Sequence, residues 1–108
     1  MFAVVNHLQF SRPVDEIQAK LEKEGLPLLA SNKGFINFHL VKEAEDKAIV
    51  LILWEDAASA QAGAKAFGPT WFASNIKPHL VGPELRSVGE VTLSHKKLSQ
   101  DNPQFMKS

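Results

Sequence analysis

Cysteine is absent from this chain, which excludes disulfides, thiolate catalysis and cysteine-held zinc or iron–sulfur clusters. Net charge is absent too: 12 Lys and Arg balance 12 Asp and Glu. That balance offers no electrostatic footprint for nucleic acid or anionic lipid, so neither is expected as a partner. A near-neutral small domain that exposes apolar surface tends instead to self-associate. The longest unbroken apolar run, Ala48 to Trp54, is far too short to span a membrane. Met1 to Asn6 reads as a strand, without the basic start and cleavage site of a secretory signal, and a cytoplasmic location is expected. No phosphate-cradling glycine loop, nucleophile elbow or metalloprotease spacing occurs. The acidic stretch Glu43 to Asp46 lacks the glycine of a calcium loop and reads as a solvated hairpin tip.

What is present fits one domain of 108 residues. Phe2 to Phe10 alternates as a strand, with Phe2, Val4, Asn6, Leu8 and Phe10 on one face. Ser11 is placed to cap a helix, Pro13 suits its first turn, and Asp15 and Glu16 favour its positive end. Val14, Ile17 and Leu21 form the buried stripe. Pro27 predicts a break near Glu24 to Leu26, and Asn32-Lys33-Gly34 ends the second helical piece. Phe35 to Lys42 and Lys47 to Glu55 form a hairpin. Asp56 caps a helix running to about Phe67, broken by Gly68-Pro69 and resumed from Thr70 to Lys77. Glu84 to His95 is the last strand, with Gly89 marking a bulge. This order predicts an α+β, ferredoxin-like fold: a four-stranded antiparallel sheet with two helices on one face. Residues 1–95 form the domain and 96–108 a C-terminal tail anchored by Phe105 and Met106.

The third strand is apolar on both faces: Ile49, Leu51 and Leu53 point one way, and Ala48, Val50, Ile52 and Trp54 the other. Two helices on one side leave three large aliphatics facing water, at about 1.5–3 kcal/mol each relative to burial. A second sheet packed face to face would cover them, so a homodimer formed through the sheets, closing an α/β barrel, is expected. Ile36, Phe38 and Leu40 are assigned to the helix side. Asn37, His39, His7 and Gln9 are assigned to the partner side, with His7 and His39 on neighbouring strands.

Two stretches carry a resemblance. Val4-Val5-Asn6-His7-Leu8 and Leu51-Ile52-Leu53-Trp54-Glu55-Asp56 resemble the first strand, and the passage from third strand to second helix, of the antibiotic biosynthesis monooxygenase family of dimeric α/β barrels. The resemblance covers about residues 2–95. It implies a pocket between sheet and helices for a small aromatic or polycyclic molecule. The wider superfamily holds cofactor-free quinol oxygenases, heme-degrading oxygenases, isomerases and members without known activity. The heme-degrading members carry a Trp and a later iron-ligating His. The candidates here, Trp71 and His79, come after Gly68-Pro69. The tyrosine of some quinol oxygenases has no counterpart, since the chain has no Tyr.

On that resemblance Asn6 is the first catalytic candidate, orienting a phenolic hydroxyl or steadying a developing oxyanion. Its structural alternative is an Asn bonded to backbone at a strand irregularity. His79 is a candidate base or metal ligand, or a surface residue after Pro78. Trp71 is a candidate aromatic wall, or filler where a broken helix meets the sheet. Phe67, Phe38 and Trp54 complete the candidate substrate-binding set. Three functions follow: a monooxygenase without cofactor, a heme-binding or heme-degrading protein ligated by His79, and a dimeric binding or structural protein without chemistry.

Overall fold

The computed structural model describes residues 1–97; Phe105 and Met106, expected to anchor the tail, lie outside the described residues. The elements follow the expected order: β1 (Phe2–Gln9), α1 (Val14–Lys20), α2 (Leu26–Ala30), β2 (Phe35–Ala44), β3 (Lys47–Trp54), α3 (Ala57–Phe67), α4 (Ala73–Asn75) and β4 (Leu85–Glu90). Strand order is β2-β3-β1-β4 and every neighbouring pair is antiparallel. This is the ferredoxin-like α+β sheet.

Both helical tracts pack on one sheet face. Val14 and Ile17 of α1 are buried with Leu8, Phe10, Ala48 and Val50. Leu29 of α2 and Ala60 of α3 are buried with Val4 and Trp54. The two clusters are the apolar sides of β1 and β3 read at period two, met by helix stripes at period 3.6.

The prolines do not break the helices. A π turn at Leu21–Gly25 joins α1 to α2, and another at Gly68–Phe72 joins α3 to α4. Leu26 N–H donates to the Leu21 carbonyl and Ala73 N–H to that of Gly68, five residues back in each case. Proline removes one helical donor and crowds the preceding turn. The wider turn accommodates that disturbance, so the predicted breaks are continuous helical path with one extra residue. Gly34 then ends the first tract at φ +85°, a backbone state that glycine adopts without steric cost.

Four smaller expectations are corrected. Ser11 does not cap α1; its Oγ donates to the His79 carbonyl at 3.2 Å, and Pro13 holds the cap position. Ile36 is not under the helices. A register shift between Phe35 and Asn37 makes it the extra residue of a bulge, so Phe35 packs inward and Ile36 is exposed. The last strand spans only Leu85–Glu90, and its pairing runs through Gly89↔Ala3 without a bulge. His7 and His39 are not on neighbouring strands: β3 lies between them, His7 opposite Ile49 and His39 opposite Leu51. Asp56 does cap α3, accepting from Ser59 N–H at 2.8 Å. Among the described residues no helix is long and apolar enough to cross a membrane.

Candidate functional site

A cavity of about 220 Å³ lies between the sheet and the helices. Its floor is the helix-facing side of β1, β2 and β3: Val4, Asn6, Leu8, Phe38, Leu40, Val50, Ile52 and Trp54. Its roof is Leu21, Leu29, Gly63, Ala64, Phe67, Phe72 and Ile76. Small residues keep α3 close to the sheet at one end. A Cβ on Gly63 would fall inside the Trp54 ring, so that contact requires glycine. Trp54 is 2% exposed and meets Phe35 edge to face, with ring centroids 5.7 Å apart. Phe67 and Phe72, 6.5 Å apart, wall the space without filling it.

Asn6 is the polar side chain in this floor. Strand alternation puts it on the helix side, between Val50 of β3 and Arg86 of β4 in the ladder. The ladder is regular through it, and its Oδ1 is buried with no hydrogen-bond partner. The backbone-bonded alternative is therefore not what forms. An acceptor left in that state costs about 1–3 kcal/mol.

Of the other candidates, Phe67, Phe38 and Trp54 line the cavity, while Trp71 and His79 do not. The π turn carries Trp71 onto the first helical tract. Its ring stacks on Phe67 at 5.6 Å and covers Gly25, and its Nε1 donates to Glu24 Oε1 at 3.2 Å. Phe72 takes the inward place. His79 sits half-buried in the 3-10 turn Lys77–His79, outside the cavity, where its carbonyl accepts from Ser11 N–H at 2.8 Å. Ile76, 3% exposed, points inward instead.

Glu84 and Arg86, both exposed, stand at the rim of the cavity. β4 has no apolar alternation that would show from sequence which way they face. The signal that identifies them is register: Arg86 pairs with Asn6 and therefore shares its side of the sheet.

No protein-family model and no curated protein matches the sequence. Solved structures do match in fold. SnoaB, a cofactor-independent oxygenase from Streptomyces nogalater, superposes with a TM-score of 0.73 at 12% identity, over 86% of this chain and 94% of that one. An antibiotic biosynthesis monooxygenase superposes with a TM-score of 0.69 at 14% identity, over 86% and 100%. A substituted form of MhuD with two manganese protoporphyrin IX molecules bound per active site gives 0.69 at 19% identity, over 89% and 99%. The chain has the fold of the antibiotic biosynthesis monooxygenase proteins.

Among the described residues that line the cavity none is a His, Cys, Met or Tyr, the groups that hold heme iron from the axial side. Among the described residues no three His, Cys, Asp or Glu gather to hold a metal ion.

Proposed function

We propose that this protein is a cofactor-independent oxygenase for a small aromatic hydroxy compound bound between sheet and helices. The observation that carries the reading is the Asn6 Oδ1, buried and unbonded in an otherwise apolar floor. Such an acceptor is satisfied when a ligand hydroxyl donates to it. The volume of about 220 Å³ exceeds the ~150 Å³ cavity that takes benzene, so a ligand of one or two rings fits better than a larger polycycle. Phe67, Phe38 and Trp54 supply its aromatic walls.

In the scheme, the bound phenol loses its proton to solvent and becomes an electron-rich anion. It passes one electron to dioxygen, and the radical pair combines at a ring carbon. Loss of water leaves the quinone, so phenol plus O2 gives quinone plus H2O. The Asn6 carboxamide orients the hydroxyl and then donates to the developing peroxide oxygen. Trp71 and His79, outside the cavity, take no part.

Oxygen uptake with 1-naphthol and dihydroxynaphthalenes tests the scheme. The expected result is protein-dependent uptake that falls by about a hundredfold in Asn6→Ala. Uptake equal to the buffer rate for every compound, or unchanged in Asn6→Ala, would overturn it. Saturable binding without uptake would favour a non-catalytic binding protein.

The working form in this reading is a homodimer joined through the open sheet faces. Val41 and Leu85 are exposed there at 49% and 66%. By register Asn37 shares that face, and its Oδ1 is buried without a partner.

A further inference from the structure

We infer that the cavity selects a singly charged aromatic acid, with Arg86 holding its carboxylate beside the hydroxyl at Asn6. This rests on the cavity being the ligand site proposed above, but not on its oxygen chemistry. Directly opposed residues of an antiparallel pair project from the same face with Cβ atoms about 4.5–5.5 Å apart. Asn6 and Arg86 are such a pair and both line the cavity. Both side chains therefore leave the same face at paired positions, with the guanidinium on its longer stem at the edge of the apolar space.

Arg86 has no carboxylate partner among the described residues, whereas Arg12 pairs with Glu16 at 2.8 Å and Lys42 with Asp15 at 3.2 Å. A guanidinium presents a rigid fork of donors that matches a carboxylate through two parallel bonds. Glu84 lies two residues earlier and lines the same rim. Its negative charge opposes a second anionic group, so the rim accepts one negative charge and disfavours two. A ligand whose hydroxyl and carboxylate are meta on one ring spans the two side chains.

Calorimetric titration with 1-naphthol and 4-hydroxy-2-naphthoate, which differ only in the carboxylate, tests the assignment near neutral pH. Because Arg86 is exposed, the expected preference for the acid is moderate, about five- to tenfold. Arg86→Gln should bring the affinity ratio to about one, and Glu84→Gln should raise it a few-fold. Equal affinities in the native protein, a ratio unchanged in Arg86→Gln, or binding of neither compound would overturn the inference. The two readings separate cleanly. A preference for the acid without oxygen uptake keeps this one and removes the oxygenase. Uptake without any preference does the reverse.

Discussion

Asn6 places one amide acceptor among the apolar side chains of the cavity floor. Its carboxamide oxygen is buried and unbonded, so replacing it with an apolar side chain of similar size should stabilise the free protein. Asn6→Leu is expected to raise the unfolding free energy by about 1–3 kcal/mol, read by urea denaturation, while abolishing turnover. A less stable Asn6→Leu protein would mean that the carboxamide serves packing rather than chemistry. Asn6 was legible in the sequence because period-two alternation needs only the strand itself. Trp71 and His79 were not. Each π turn adds one residue, and one residue rotates the following helix by about 100°. A break expected at Gly68-Pro69 leaves the phase of the following turns unset, and the π turn sets it with Phe72 and Ile76 on the cavity side.

At the scale of elements, local end signals held for α3 and not for α1, where Ser11 bonds the His79 carbonyl instead. Asp56 caps α3 through Ser59 N–H, and this bond holds its carboxyl below the ordinary aspartate value. A depressed carboxylate stabilises the fold fully above its unfolded value, near pH 4, and that contribution is lost as pH falls through the lowered folded value. Asp56→Asn keeps a capping oxygen but removes the charge. Its Tm deficit should therefore be present at about pH 7 and shrink as pH falls below about 4. A deficit constant across that range would show that the charge is not what the cap contributes. The ends of β4 were less legible. Its six residues are exposed, so neither apolar alternation nor burial marks where the ladder begins, and only pairing with β1 defines it. The bulge at Ile36 escaped for a related reason. Phe35, Ile36 and Phe38 are all apolar, and a one-residue slip between them leaves the pattern looking intact.

For the whole molecule, the apolar outer face of β3 remains the feature that one chain does not resolve. Ile49, Leu51 and Leu53 sit in the middle of an open sheet, and among the described residues the helices pack on its other side. Sedimentation equilibrium at micromolar concentration should give a dimer, and Leu51→Glu should give a folded monomer, because an unpaired carboxylate buried between two sheets costs several kcal/mol. A native protein that sediments as a stable monomer would remove the homodimer from the proposal.

The sequence by itself determined the fold class, the order of elements, the helix-facing side of β1 and β3, and the place of Asn6 on it. These depend on periodicity and on caps, which act over a few neighbouring residues. Only the tertiary structure decided that β3 separates His7 from His39, that Arg86 stands opposite Asn6, and that a cavity remains beneath Phe67 and Phe72. Strand register and the phase of a widened helix are set by packing between segments far apart in the chain, and no local pattern carries them.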